Sequence, residues 1–264
     1  RFLIKESRVN IEVENMNNAN GGYFYNSQEL KITVNNCPIS NENINLVVVK
    51  NRDWNQVLSK LNISSVLGNK IEYYNPNKLK FKGGSEFHHF NTKDIHYKSE
   101  NIERIDFIAN QYNFLLSTNK ETSFSDYFYK KDLNGSYSID VVNSETPELE
   151  ADYVNVFFTL QMDAPLQKGE VYVYGKLTNY ELSNESKMIY NYEQKAYEAS
   201  LLLKQGYYNY SYLVKRDKKI DYTFIDGNYS LTENEYLVLV YYKDYSLGYD
   251  KLIGVKKFIS TTGN

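Results

Sequence analysis

Three histidines within nine positions are the first place in this 264-residue chain to look for metal chemistry. They are His88, His89 and His96, and Glu86 and Asp94 lie close to them in sequence. Imidazole and carboxylate groups are common ligands of Zn²⁺. Neighbouring residues of a strand, however, point to opposite faces, so His88 and His89 cannot easily bind one ion. We therefore expect no metal site here and interpret the histidines as surface or cross-strand residues.

Nucleophilic catalysis needs a nucleophile held beside a base and an orienting group. No serine lies in a Gly-x-Ser-x-Gly elbow, and Cys37, the single cysteine, follows an apolar run and is interpreted as the end of a strand. The carboxylate pairs Glu148/Glu150 and Glu233/Glu235 have the spacing of residues on one strand face, which is typical of a solvated edge. The residues thus predict a protein that is not an enzyme and has no cofactor.

Charge and hydropathy argue against two classes of contact. The chain has 30 lysine and arginine residues against 33 acidic ones, a net charge of −3. Such a chain lacks the positive field that binds a nucleic-acid backbone. The densest basic run, at 215–219, lies between tyrosine-rich segments and predicts a hairpin tip. No run of about 18 apolar residues occurs, so we expect no direct membrane span.

Any contact surface of this chain must be positioned by secondary structure, and the spacing of the tyrosines indicates β-strands. The chain has 27 tyrosines, and Tyr172 and Tyr174 alternate with valines. Tyr208 and Tyr210 repeat this spacing after a Gln-Gly turn. Since side chains of a strand alternate between two faces, we expect these tyrosines to lie on the outer face of a β-sandwich.

Turn signals every 8–12 residues predict an all-β chain of two tandem antiparallel β-sandwich domains. The polar, proline-containing stretch at 143–148 is the expected boundary. It divides the chain into a β-sandwich domain at 6–145 and an immunoglobulin-like one at 149–259, followed by a tail at 260–264. The single candidate helix lies at 54–67.

Six segments follow one another in an order that resembles a known family. They are Gly-Gly-Ser-Glu-Phe-His-His-Phe-Asn (83–91), Asp-Leu-Asn-Gly-Ser-Tyr (132–137), Glu-Ala-Asp-Tyr-Val (150–154), Lys-Gln-Gly-Tyr-Tyr-Asn-Tyr (204–210), Thr-Glu-Asn-Glu-Tyr (232–236) and Asp-Lys-Leu-Ile-Gly-Val (250–255). Between about residues 78 and 255, the chain resembles the plug proteins of the type IX secretion system of Bacteroidota.

This resemblance implies a function. A plug protein is a non-enzymatic periplasmic protein that lies at the inner face of the outer membrane. It binds the large outer-membrane β-barrel translocon and occludes the periplasmic end of the idle pore. We expect outward aromatic side chains to anchor this contact, and the candidates are Tyr172, Tyr174, Tyr180, Tyr208 and Tyr210. The resemblance also implies a fragment, with residues 1–5 as the end of a missing upstream domain.

A second resemblance keeps an alternative open. The segments 171–180, 197–201 and 206–210 are similar to glycogen- and starch-binding modules, which stack sugar rings on exposed aromatic side chains. Tyr180 stands where those modules usually have tryptophan. Both resemblances fit an early-set immunoglobulin-like sandwich, and a shared fold does not by itself transfer function. Glycan binding is therefore the alternative function.

Overall fold

A computed structural model describes residues 8–16, 26–37, 43–246 and 248–260. The protein is nearly all β, with 50% strand and 4% helix, which confirms the predicted fold class. The described part of the chain contains no helix that is long and apolar enough to cross a membrane. The predicted helix at 54–67 is wrong, because this stretch contains two short strands.

The strands are numbered in chain order. Seven described strands precede residue 84: β1 (Asn10–Asn15), β2 (Ser27–Asn35), β3 (Ile44–Lys50), β4 (Val57–Leu58), β5 (Ser65–Leu67), β6 (Lys70–Tyr74) and β7 (Lys80–Lys82). Eleven lie between residues 85 and 227: β8 (His88–Asn91), β9 (Ile102–Ile108), β10 (Gln111–Leu116), β11 (Asn119–Lys120), β12 (Tyr137–Ile139), β13 (Tyr153–Gln161), β14 (Glu170–Tyr174), β15 (Ile189–Asn191), β16 (Ala196–Lys204), β17 (Gly206–Arg216) and β18 (Lys219–Asp221). The last two are β19 (Glu235–Asp244) and β20 (Tyr249–Ile259), and the helices are α1 (Pro147–Glu150) and a 3₁₀ turn at Lys176–Thr178.

The chain divides into two compact units, but not at the predicted boundary. Unit 1 combines Arg1–Gly84 with Asn228–Asn264, and unit 2 is Ser85–Gly227. The stretch at 143–148 lies inside unit 2, where it leads into α1 and β13. A polar segment with a proline suits a surface connection within a domain as well as a linker between domains. The predicted immunoglobulin-like domain at 149–259 is therefore divided between the two units, and its immunoglobulin-like type stays a prediction.

Unit 1 is built from two sheets that share one core. The first has the order β1-β2-β6-β5, with β7 also on β2, and the second has the order β20-β19-β3-β4. Leu30 and Ile32 of the first sheet pack in the same buried cluster as Val48 and Val238 of the second. Ser260, predicted to begin a loose tail, is fully buried. The rest of that tail and residues 1–5 lie outside the described residues.

Unit 2 is also a pair of sheets around one core. Its first sheet has the order β15-β16-β13-β10-β9, with β11 also on β13, and its second has the order β12-β17-β14, with β8 and β18 also on β17. Val156 and Phe158 of the first sheet share a buried cluster with Val173 and Tyr212 of the second. The first sheet is not purely antiparallel as predicted, because β13 pairs in parallel with β10 and β11.

Candidate functional site

Two of the five predicted anchors lie in the core of unit 2. Tyr208 and Tyr210 are each 2% exposed, and they pack between the two sheets together with Tyr212. Asn209, between them, belongs to the opposite face of β17. Alternation in the sequence correctly groups the residues that share a face. It does not state which face is buried when both faces bear large side chains.

The hydroxyl groups of these core tyrosines have defined partners. The hydroxyls of Tyr210 and Tyr212 both donate to Asn119 Oδ1, at 2.7 and 2.8 Å. The Tyr208 hydroxyl donates to the carbonyl of Lys204 at 2.6 Å. Burial raises the pKa of Tyr208 and Tyr210 far above the ordinary value. Buried tyrosine suits a core when its hydroxyl is bonded in this way, so these residues stabilise the fold and are not contact residues.

Two of the other predicted anchors, Tyr172 and Tyr174, lie on the outer side of β14 but are covered, and the third, Tyr180, follows the 3₁₀ turn. Tyr172 and Tyr174 are 5% and 3% exposed, beneath a small cluster that includes Tyr180 and Tyr222. The rings of Tyr180 and Tyr222 both meet Tyr174 edge to face, with centroids 5.7 Å away. Tyr180 is half-buried. The expectation that Tyr172 and Tyr174 lie on an outward surface is therefore wrong, since neighbouring rings cover them, whereas Tyr180 stays partly exposed.

A carboxylate accompanies this cluster. The Tyr172 hydroxyl donates to Glu170 Oε2 at 2.8 Å, and Lys187 forms an ion pair with the same carboxylate. Burial first, and the neighbouring Glu170 second, raise the pKa of Tyr172 to about 12. The hydrogen bond from Lys187 lowers the pKa of Glu170. These contacts satisfy the polar ends of the cluster and fix its orientation.

The histidines occupy separate environments. His88 Nε2 lies 2.9 Å from Asp226 Oδ1, and the His88 ring stacks on Tyr210. His89 Nε2 lies 3.2 Å from Asn101 Nδ2. His96 is exposed. No group of three or more histidine, cysteine, aspartate or glutamate residues that could hold a metal ion occurs among the described residues.

The carboxylate pairs differ from the expected solvated strand edges. Glu235 is 6% exposed and forms ion pairs with Arg52 and Lys257, at 2.7 and 2.5 Å. Although burial acts to raise its pKa, hydrogen bonds from these two cations outweigh burial and lower it. Glu148 and Glu150 are exposed but lie in α1 rather than on a strand.

A broad groove lies on the outer face of the first sheet of unit 2, and we call this surface the open face. It consists of the outward side chains of β9, β10, β13, β16 and β15, around a cavity of about 1200 Å³. Leu115, Phe157 and Ser200 lie in register across three strands, and Leu202 lies opposite Asn155 in the next row. Because the valines, Phe158 and Leu160 of β13 point inward to the core, the intervening residues must face outward.

The open face combines apolar side chains with a fixed polar row. Ile189, Ile108, Leu202 and Phe157 are 75%, 62%, 59% and 37% exposed. Between them, Asn155 Nδ2 donates to Asn113 Oδ1 at 3.0 Å. Asn113 and Gln111 in turn donate to backbone carbonyls. The polar groups in the middle of the face are thereby held in place, while the apolar groups around them are exposed. Charged side chains, among them Asp106, Lys187 and Glu198, line the same groove, so the open face offers apolar, polar and charged groups to a partner.

A second exposed surface is the loop between β11 and β12, residues 121–136. Phe124, Phe128 and Tyr129 are 95%, 76% and 51% exposed. Lys130 and Lys131 follow them directly and are also exposed. We call residues 124–131 the aromatic tip.

Hydrogen bonds hold the loop that carries the aromatic tip. Thr122 N donates to the carbonyl of Ile225 at 2.9 Å, and the Tyr127 hydroxyl donates to Glu86 Oε1 at 2.5 Å. Phe87 N donates to Asp132 Oδ2 at 2.7 Å. The loop is thus tied at its start, middle and end, which orders it while Phe124, Phe128 and Tyr129 stay exposed.

Sequence reasoning missed both surfaces. For the open face, the signal was the alternation within β13, where Phe157 falls among Asn155 and Thr159 rather than among the valines. For the aromatic tip, the signal was four aromatic residues beside two lysines in a stretch with no strand alternation.

The chain is similar to a hypothetical protein from Parabacteroides merdae, of which a crystal structure is known. The two are 33% identical, with a TM-score of 0.89 over 96% of this chain. The match covers 65% of the Parabacteroides chain, so this chain spans less than two thirds of that protein. No protein-family model matches the chain, and no curated protein matches it. The similarity establishes the all-β fold.

Proposed function

We propose that this protein is a non-enzymatic plug of the type IX secretion system. In this proposal it lies in the periplasm at the inner face of the outer membrane and covers the periplasmic end of the idle translocon barrel. The order of the six motifs supports this function. A structural relative from a genus of Bacteroidota is compatible with it.

The open face is the observation that carries the proposal. Strands β9, β10, β13 and β16 are about 20–30 Å long and β15 is about 10 Å long, so at a spacing of about 4.8 Å the five strands present roughly 540 Å² of surface. One side of a standard stable interface is about 800 Å², so this face supplies most of what one partner needs. Occlusion of a pore requires no chemistry, only a rigid body held by enough contact area. The fixed asparagine row and the exposed apolar groups meet that need.

The motifs themselves have a structural explanation. A Cβ on Gly83 would lie 1.9 Å from the Tyr229 carbonyl oxygen, and one on Gly206 would lie 2.4 Å from the Ser138 carbonyl oxygen. Both glycines belong to quoted motifs, and side chains there would collide with backbone. The motifs therefore support a shared fold, and the contact residues must be sought on the surface.

The test is capture of the translocon from detergent-solubilised outer membranes of the source organism by the tagged protein. The wild type should recover a very large β-barrel and lower its conductance in planar bilayers. Phe157→Asp with Leu202→Asp should weaken capture by at least about tenfold, because charges replace apolar contacts at the centre of the face.

The matched control is Leu67→Asp, which changes an exposed leucine of unit 1. It should leave capture unchanged. Failure of the wild type to recover any barrel would refute the plug function. In that case, titration with maltooligosaccharide would test the glycan alternative.

A further inference from the structure

The aromatic tip has a composition that the plug function does not explain. Two phenylalanines and a tyrosine within six positions are more than half exposed, and Phe124 is 95% exposed. Exposure of a large apolar side chain to water is unfavourable in proportion to its area. Three such side chains close together in one loop indicate a surface that is covered in use.

The rings are exposed although the loop that carries them is ordered by hydrogen bonds. Asp132 accepts hydrogen bonds from Phe87 N and from Asn134 N, at 2.7 and 2.6 Å. Ser125 N donates to the Thr122 carbonyl at 2.9 Å. The backbone is therefore held in place while Phe124 and Phe128 stay exposed, so little backbone ordering entropy would be lost on binding.

The residues beside the rings indicate what covers them. Lys130 and Lys131 follow Tyr129 directly, and Asp126 is the one exposed acidic residue of residues 124–131. Lysine is depleted from protein–protein interfaces. At a membrane surface, by contrast, phenylalanine and tyrosine enter the headgroup boundary while lysine binds lipid phosphates.

We propose that the aromatic tip inserts into the surface of a phospholipid bilayer, with Phe124 and Phe128 at the acyl boundary and Lys130 and Lys131 at the phosphates. This is a peripheral contact made by side chains. It is a second binding activity, separate from the open face. Among the charged side chains of the loop at 121–136, Lys130, Lys131 and Asp126 are exposed, whereas Glu121 and Asp132 are half-buried. The exposed charge therefore favours anionic lipid, with the rings supplying most of the affinity.

The experiment is sedimentation of the full chain with vesicles of phosphatidylethanolamine and phosphatidylglycerol, and with vesicles of phosphatidylcholine alone. The wild type should bind both, and the anionic vesicles more tightly. Phe124→Ser with Phe128→Ser should lower partitioning by at least about tenfold. Lys130→Gln with Lys131→Gln should lower binding to anionic vesicles by about fivefold per lysine, with little effect on phosphatidylcholine.

A matched control comes from elsewhere in unit 2. Leu149→Ser with Ile220→Ser removes two exposed apolar groups outside both surfaces and should leave vesicle binding unchanged. Insertion depth follows from Phe124→Trp in a Trp54→Phe background, since Trp54 is the single native tryptophan. Its emission should shift to the blue on binding and be quenched by brominated lipid.

Equal binding by the wild type and the double phenylalanine variant would overturn the proposal, as would absence of wild-type binding to either vesicle. Loss of translocon capture by Phe124→Ser with Phe128→Ser, without any vesicle binding by the wild type, would identify the tip as a protein contact instead. Because the vesicles contain no protein, this result does not depend on whether the plug function is correct.

Discussion

Asn234 Nδ2 donates a hydrogen bond to Gln28 Oε1 at 3.1 Å, although 206 positions separate the two residues. Both side chains are buried, at 1% and 0% exposure. The same Gln28 oxygen accepts from the hydroxyls of Tyr236 and Ser260, at 2.6 and 3.1 Å. Gln28 Nε2 donates to the carbonyls of Ser230 and Thr232. One glutamine of β2 thus joins the two chain segments that make up unit 1, residues 1–84 and 228–264.

Replacement of Gln28 by leucine should lower the free energy of unfolding of unit 1 by about 3 kcal/mol or more. The leucine fills a similar volume but leaves several buried donors and acceptors without partners, each at a cost of about 1–3 kcal/mol. Guanidinium unfolding followed by Trp54 fluorescence reports on this unit, because the single tryptophan lies in it.

The control is Lys80→Leu, an exposed position of β7 in the same unit. It should change stability by less than about 0.5 kcal/mol. If both variants unfold at the same denaturant concentration, the network around Gln28 does not stabilise the unit.

The sequence predicted the element type well and the assembly of elements poorly, and this network shows why. Period-2 alternation is local, so strands such as β13 and β17 are visible in the sequence. The pairing of Tyr236 with Lys50 depends on contacts across nearly the whole chain, for which a single sequence gives no local signal. The inserted position of unit 2 could not be predicted for the same reason.

Gly83 should tolerate no side chain. A Cβ there would lie 1.9 Å from the Tyr229 carbonyl oxygen, so the backbone of unit 1 must shift. We expect Gly83→Ala to cost about 3 kcal/mol of unfolding free energy. The measurement is again denaturation followed by Trp54 fluorescence.

Gly248→Ala is the comparison that separates crowding from backbone strain. Gly248 has a φ of +71° but nothing within 4 Å of an added Cβ. An alanine in this left-handed conformation should cost only about 1 kcal/mol. Equal costs at the two positions would show that the contact with Tyr229 is not limiting.

Tyr73→Phe should stabilise unit 1 by about 1 kcal/mol. Tyr73 is 1% exposed, and its hydroxyl has no hydrogen-bond partner among the described residues. Removal of an unsatisfied buried hydroxyl relieves its desolvation cost. Tyr236→Phe should instead destabilise by about 1 kcal/mol, since that hydroxyl donates to Gln28.

The ionisation of Tyr73 should make the stability of unit 1 depend on pH. Burial raises its pKa from 10.0 to about 12. Above pH 10 the unfolded state loses the phenolic proton while the folded state keeps it, so stability falls as pH rises from 10 to 12. Tyr73→Phe should reduce this loss. A stability curve between pH 9 and pH 12 with the same slope in both proteins would contradict the assignment.

The predicted tyrosine anchors show what sequence alternation cannot reveal: which face of a sheet is buried when both faces carry aromatic residues. Tyr210 and Tyr212 could be grouped from the sequence, but not assigned to the core. The burial of Tyr210 and Tyr212 depends on Asn119, which accepts hydrogen bonds from both hydroxyls and lies more than ninety positions away in sequence. Without that acceptor, outward tyrosines are the natural expectation.

Substitutions of Tyr210 should therefore affect mainly the stability of unit 2, whereas substitution of Phe157 should affect mainly translocon binding. Tyr210→Ala removes a core ring of unit 2 and should lower its unfolding free energy by about 3–5 kcal/mol, whereas Tyr210→Phe, which loses one hydrogen bond, should cost about 1 kcal/mol. Phe157→Asp should cost about 1–2 kcal/mol, less than Tyr210→Ala, because the side chain is partly exposed on the open face. It should weaken translocon capture, while folded Tyr210→Phe should capture normally.

Thermal unfolding by circular dichroism measures the stability of each variant, and capture assays on the same preparations measure binding. Reduced capture by a stable Tyr210→Phe protein, with normal capture by Phe157→Asp, would contradict the open-face contact and favour the predicted tyrosine anchors.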